Sequence, residues 1–199
     1  MSDQGLLFKP HTIEFDRTAL DFDLPERREL RVPTGDVVLR DYQDKAVNCV
    51  LSNFYEGKAK SSLVVLPTGT GKTIVIGGVF RKMLKRGRCL LIAHREELIF
   101  QGAEKTAWIT GETPEIEMAE YRTDELQAPD DKARIVVATV QTLSRGRMQR
   151  FSPSEFSCIC VDEAHHATAD SYRKVLEHFE HPGLKVFGVT ATPDRSDEE

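Results

Sequence analysis

No apolar run in this chain comes near the ~20 residues that a membrane-spanning helix requires, so no helical span is expected and no membrane partner. The first residues, Met1-Ser2-Asp3-Gln4-Gly5, lack the basic start and hydrophobic stretch of a secretory signal. An intracellular setting is therefore expected, cytoplasmic if the source is a bacterium or a phage. Positive charge is not in excess: 27 Lys and Arg face 32 Asp and Glu, for a net charge of −5. A nucleic-acid backbone would have to be met by a local basic strip and not by the field of the whole domain. Cysteine is scarce, and the four present (Cys49, Cys89, Cys158 and Cys160) are spaced for neither a disulfide framework nor a zinc site. All four are expected to be buried, reduced thiols that pack as small hydrophobes. The single tryptophan, Trp108, stands at the end of a helical pattern, where a core position is expected rather than a platform for a base. There is no internal repeat and no low-complexity tract. At 199 residues the chain suffices for one well-buried domain and is too short for two of ordinary α/β size.

What is present alternates. Residues 1–36 hold short alternating segments, such as Thr12-Ile13-Glu14-Phe15-Asp16, broken by Pro25, Pro33 and Gly35; they read as an extended or β-hairpin extension and not a second domain. From Leu39 onward the pattern predicts helix over 42–55, strand over 62–66, helix over 72–86, strand over 89–93 and helix over 96–109. Strands over 115–120 and 133–138, a helix near Thr142, a strand over 157–161, a helix over 171–179 and a strand over 185–189 complete it. Such alternation implies an α/β domain whose mainly parallel sheet is covered on both faces.

Two segments carry chemistry. Leu66-Pro67-Thr68-Gly69-Thr70-Gly71-Lys72-Thr73 stands between a predicted strand and a predicted helix. Gly69 and Gly71 let the backbone turn sharply and approach an anion. The loop then offers N–H groups and the positive end of the following helix to phosphate oxygens. Lys72 would reach the β- and γ-phosphates, and the Thr73 hydroxyl would ligate Mg2+. The usual pattern opens on a glycine where this chain has Leu66, a departure that leaves Gly71-Lys72-Thr73 untouched. About ninety residues later, Asp162-Glu163-Ala164-His165 follows an apolar strand, and the ends of such strands are where open α/β sheets bind ligands. Asp162 is the candidate for holding the metal, and Glu163 for orienting and deprotonating the attacking water. Together the two segments point to hydrolysis of a nucleoside triphosphate.

Four further segments keep order with these: Leu39-Arg40-Asp41-Tyr42-Gln43, Ala93-His94-Arg95-Glu96-Glu97-Leu98, Ala138-Thr139-Val140-Gln141-Thr142-Leu143 and Gly188-Val189-Thr190-Ala191-Thr192-Pro193. Over residues 38–195 the set resembles the first RecA-like domain of superfamily-2 helicases and translocases, nearest to the branch of type III restriction subunits and repair helicases. The resemblance implies a RecA-like P-loop NTPase, a three-layer α/β sandwich over residues 37–199, that uses ATP and Mg2+ on a nucleic acid, DNA more readily than RNA. It implies that Arg40 and Gln43 lie on the adenine side, Gln43 matching the base edge, while Pro67, Thr68, Gly69, Thr70, Gly71, Lys72 and Thr73 wrap the phosphates. Arg95, Thr139, Gln141 and Thr142 would contact the nucleic-acid backbone, which positions a strand without reading its sequence. Thr190 and Thr192 would link the state of the nucleotide to strand movement, with His165 as the coupling residue. His94 and His166 are expected to be packing or loop residues. Of two basic stretches, 81–88 reads as a solvated helix end, while 144–150 is either solvated or in contact with phosphates. Six residues follow Pro193, and the resemblance implies that a second RecA-like domain, in cis or on a partner, supplies an arginine finger worth roughly 10³–10⁵ in rate. The expectation is one motor domain that is weak or inactive alone. A regulatory nucleotide-binding module, a small-molecule kinase and an RNA helicase domain are the alternatives.

Overall fold

Leu90, Leu91 and Ile92 are consecutive and all but fully buried, which a strand permits only when both faces of its sheet are covered. The computed structural model of the protein describes residues 30–56, 59–119, 121–122, 132–166 and 169–191. Most of the expected N-terminal extension, and Thr192, lie outside the described residues. Six strands, β1 (Ser61–Val65), β2 (Arg88–Ala93), β3 (Glu115–Glu117), β4 (Ile135–Thr139), β5 (Phe156–Asp162) and β6 (Lys185–Thr190), form one parallel sheet in the order β1-β6-β5-β2-β4-β3. Among the described residues five α-helices flank it: α1 (Asp41–Tyr55), α2 (Lys72–Met83), α3 (Glu96–Thr110), α4 (Val140–Ser144) and α5 (Asp170–His178).

Because successive side chains of a strand leave on opposite faces, the core divides in two. Cys89, Leu91, Val137, Cys160, Phe187 and Val189 pack with α1, α2 and α3. Leu90, Ile92, Val136, Ile159 and Val161 pack with α4 and α5 on the other face. The expected three-layer α/β sandwich is therefore the observed one. Among the described residues no helix is long and apolar enough to cross a membrane.

The expectation of four buried thiols holds for three. Cys89, Cys158 and Cys160 are fully buried, and burial pushes the thiols of Cys158 and Cys160 well above their usual range. Cys49 is exposed, because α1 turns Val47, Val50 and Phe54 inward and position 49 falls off that stripe. The strand predicted over 115–120 stops at Glu117, where Met118 and Tyr121 pair with each other and Ala119 takes a positive φ of 46°. The described end of the extension lies along α3, with Arg31 N donating to Glu104 Oε1 at 3.1 Å.

Register determines what meets at the carboxyl edge of the sheet. Val65 pairs with Thr190, and Asp162 with Val189, so the ends of β1, β6 and β5 stand side by side. Ala93 pairs with Thr139, which brings the ends of β2 and β4 together farther along the same edge.

Candidate functional site

The loop between β1 and α2 is held from beneath. Leu66 N donates to Thr190 O at 2.9 Å, tying the start of the loop to the end of β6. Thr70 closes a tight turn onto Pro67 O through both its hydroxyl, at 2.6 Å, and its backbone N–H, at 3.3 Å. Gly69 and Gly71 take φ of +82° and +81°, a left-handed conformation that glycine adopts at little cost. Gly71 also leaves space: a Cβ there would fall 2.7 Å from Gln43 Nε2. Among the described residues no side chain caps the start of α2, and its first turn carries no acidic residue, so the N–H groups of the positive helix end stay available to the cleft.

The acidic pair reaches this loop across the sheet. Lys72 Nζ lies 2.9 Å from Glu163 Oε1. Glu163 Oε2 lies 3.4 Å from His165 Nδ1, which is in turn 3.1 Å from Thr190 Oγ1. Lys72, Glu163, His165 and Thr190 thus form a continuous polar chain from the phosphate loop to the end of β6. Glu163 holds a φ of +51°, a region that non-glycine residues enter rarely and that marks functional sites when the surroundings enforce it. Asp162 accepts from Glu163 N at 3.0 Å. Burial, and then the charge of Glu163, raise its carboxyl pKa, while the Glu163 N–H, Lys72 and Lys105 oppose the rise. Behind it on α5, burial and the nearby Asp162 charge push Tyr172 up to about 12. Its hydroxyl has no hydrogen-bond partner among the described residues, and the sequence pattern alone did not single it out.

Thr73, the second residue of α2, lies beside Lys72. Its hydroxyl and the Asp162 carboxylate are the hard oxygen donors that suit magnesium, which takes few protein ligands when phosphates supply the rest. Among the described residues no cluster of three or more His, Cys, Asp or Glu could hold a metal by itself.

On the other side of the loop Gln43 is buried and its amide bridges two backbones. Oε1 accepts from Arg40 N at 3.0 Å, and Nε2 donates to Thr70 O at 2.9 Å. Each amide atom retains one further hydrogen-bonding position. Tyr42 donates to the same Thr70 oxygen at 2.8 Å, and Arg40 Nη1 donates to Tyr42 at 3.3 Å. A cavity of about 230 Å³ opens here between the loop and the end of α3. Trp108 lines it, half-buried, which corrects its expected place in the core: its neighbours Ala107 and Ile109 take the buried positions of the last turn of α3, while the indole turns to the Gly35 carbonyl and the cavity.

Farther along the edge a groove of about 800 Å³ is lined by His94, Arg95, Thr139, Gln141, Thr142 and Arg145, with Glu96 and Glu97 at its α3 side. All four residues expected to contact a nucleic-acid backbone fall in this one groove. Their states differ. Arg95 is exposed at the start of α3, and Gln141 Nε2 meets His94 Nδ1 at 3.0 Å. Thr139 is buried and caps α4, accepting from Thr142 N at 3.3 Å and donating to Thr142 Oγ1 at 2.8 Å. The basic stretch 144–150 divides. Arg145 faces the groove, while Arg147 and Arg150 turn to the fully buried Glu117, at 2.8 and 3.2 Å. In the other stretch, 81–88, Arg86 lies over the Tyr55 ring and Arg88 pairs with Glu155. Thr192 and the side chain of His166 lie outside the described residues.

Comparison with known proteins follows the same arrangement. IRC3 of Saccharomyces cerevisiae, named as a candidate ATP-dependent helicase, is 32% identical over 176 residues that cover 80% of this chain and 24% of that protein. The helicase/translocase subunit XPB of the general transcription and DNA repair factor IIH of Encephalitozoon cuniculi is 28% identical, covering 97% of this chain and 30% of its own. The crystal structure of the Pyrococcus furiosus Hef helicase domain matches with a TM-score of 0.62 at 25% identity, over 80% of this chain and 34% of that one. The chain thus spans a quarter to a third of the length of these relatives. Residues 36–195 match the family described as type III restriction enzyme, res subunit, and the chain belongs to it, carrying the first RecA-like domain of a superfamily-2 helicase.

Proposed function

We propose that residues 37–199 form the ATP-binding motor domain of a helicase or translocase that acts on DNA, with residues 1–36 as an extension in front of it. The cleft at the ends of β1, β6 and β5 takes the nucleotide, and the groove at the ends of β2 and β4 takes the nucleic-acid backbone. The polar chain from Lys72 through Glu163 and His165 to Thr190 is the observation that carries this reading. It joins Lys72 of the phosphate loop to Glu163, just after β5, and to Thr190 at the end of β6, the strand between β1 and β5. The DNA repair factor among the relatives favours DNA as the track.

In this reading the residues divide the work. The loop N–H groups and Lys72 bind the phosphates, and Lys72 exchanges Glu163 for an anionic oxygen as it does so. Glu163, released, accepts the proton of the attacking water and aligns it. Thr73 and Asp162 would hold magnesium, which when bound neutralises charge on the β- and γ-oxygens. His165 then signals the change to Thr190. Among the described residues nothing is placed to act as an arginine finger from across the cleft. A second RecA-like domain, in cis or on a partner, completes the site.

The test is calorimetric titration of the chain with Mg-ATP, followed by hydrolysis assays with single- and double-stranded DNA. Measurable binding that Lys72→Ala abolishes, with slow hydrolysis and no unwinding, is expected. Absence of nucleotide binding would overturn the reading, and robust DNA-stimulated turnover by the isolated chain would remove the need for a second domain.

A further inference from the structure

The cavity beside Gln43 has a wall that the phosphate chemistry does not use. At about 230 Å³ it is smaller than the roughly 300–1,000 Å³ pockets that enclose whole drug-sized ligands, a size suited to one part of a nucleotide. The phosphate loop closes one side, through Gly69, Thr70 and Gly71, while Val37, Val38 and Ile74 give apolar surface. Trp108, at the end of α3, lines the cavity as well. Its indole is held in place: Nε1 donates to Gly35 O at 2.8 Å, and the next residue, Ile109, is buried so tightly against α2 that a Cβ on Gly77 would fall 2.6 Å from Ile109 Cδ1. The one polar atom of the ring is thereby occupied. What the ring can still offer a ligand is its apolar π-surface, which recognises another flat ring and not an anion.

We propose that Trp108 is the stacking wall of a nucleobase subsite, holding the base of the bound nucleotide while Gln43 meets the base edge. The proposal deepens the ATP-site reading above and rests on it. It divides recognition of the nucleotide between two parts of the chain: α2 and its loop take the phosphates, and the end of α3 takes the base. The pairing suits adenine, because the remaining positions on the Gln43 amide, one donor and one acceptor, complement adenine N7 and N6–H₂. It also gives α3 a connection to both ligands, since Arg95 and Glu96 at its start line the groove and Trp108 at its end lines the base cavity.

Trp108 is the only tryptophan in the chain, so intrinsic fluorescence excited at the red edge reports this wall alone. The chain is titrated with Mg-ADP and with magnesium tripolyphosphate, each followed by calorimetry and by Trp108 emission, and the titrations are repeated on Trp108→Ala and Trp108→Phe. Both ligands are expected to bind, with ADP alone changing the emission. Trp108→Ala should weaken ADP by roughly 5- to 150-fold, the range for loss of one base–aromatic stack, and leave tripolyphosphate unchanged. Trp108→Phe should retain most of the ADP affinity. ADP binding without a change in emission overturns the proposal, as does an equal loss of both ligands in Trp108→Ala, which would mark a supporting role only. If the unmodified chain binds neither ligand, the ATP-site reading itself falls, an outcome distinct from the other two.

Discussion

Gly188 lies in β6 directly beneath the turn that carries the acidic pair. A methyl group there would sit 2.5 Å from Ala164 Cβ and 3.1 Å from Leu63 Cδ1. Ordinary contact begins near 3.4 Å, so Ala164 must retreat by 3.4 − 2.5, or about 0.9 Å. The strand cannot yield, because β6 is hydrogen-bonded to β1 on one side and β5 on the other. The short 3-10 turn Ala164–His166 must move instead, and Ala164 is flanked by Glu163 and His165. The contacts at risk are Lys72 to Glu163, at 2.9 Å, and His165 to Thr190, at 3.1 Å. Overpacking of this kind costs about 1–3 kcal/mol, which for a domain of this size lowers Tm by roughly 2–12 °C. Displacing a reacting group by about 1 Å costs roughly 10²-fold in rate.

Gly188→Ala is therefore expected to bind Mg-ATP but to hydrolyse it about 10²-fold more slowly in a single-turnover assay, with a lowered Tm. Ala164→Gly in the same chain removes the opposing methyl and should restore most of both. Gly102→Ala is the control, since its Cβ would meet Leu91 Cδ2 at 3.0 Å in the core between α3 and the sheet; it should lower Tm and spare the rate. Unaltered hydrolysis in Gly188→Ala, or no rescue by Ala164→Gly, refutes the argument that this contact sets the position of the acidic pair.

Three other perturbations follow from the same geometry. Asp162 has its folded pKa raised above 3.8 by burial and by Glu163. The folded state therefore binds more protons than the unfolded state above that pH, so stability falls as pH rises through the window and the penalty persists at neutrality. Asp162→Asn should melt higher than the unmodified chain at pH 7, with the difference closing below about pH 3.8, and should lose hydrolysis; an unchanged or lower Tm at pH 7 counts against this. Arg147→Met removes one of the guanidiniums paired with the fully buried Glu117 and should cost about 1–3 kcal/mol in urea unfolding, whereas a loss under about 0.5 kcal/mol would show that its remaining contacts, Arg150 among them, suffice. Arg145→Ala should reduce the salt slope of DNA binding by about 1, and Arg147→Met should leave it unaltered. Equal slopes for both variants, read by fluorescence anisotropy across salt concentrations, would remove Arg145 from the groove's binding surface.

The division between Arg145 and Arg147 also shows what was legible in the chain and what was not. The phosphate loop could be read because its geometry is local: Gly69 and Gly71 supply the positive φ that the turn needs, and the following helix supplies its own dipole. The meeting of Lys72 with Glu163 could be read as well, since parallel strands with crossover helices gather their carboxyl ends on one edge. A basic stretch carries no such rule. Gly146, at φ +117°, redirects the chain after Arg145, and the partner that captures Arg147 and Arg150 stands thirty residues upstream in a strand whose sequence gives no sign that Glu117 is buried. The charge is tolerable there because two guanidiniums pair with it, and that compensation exists only once β3 and the segment after α4 have come together. Trp108 was misplaced for the same reason. Helical periodicity states which residues share a face, but whether that face ends in core or over a cleft depends on where α3 stops relative to the Gly35–Arg40 segment. Local chemistry names the candidates, and contacts between distant segments decide which of them remain free to meet a ligand.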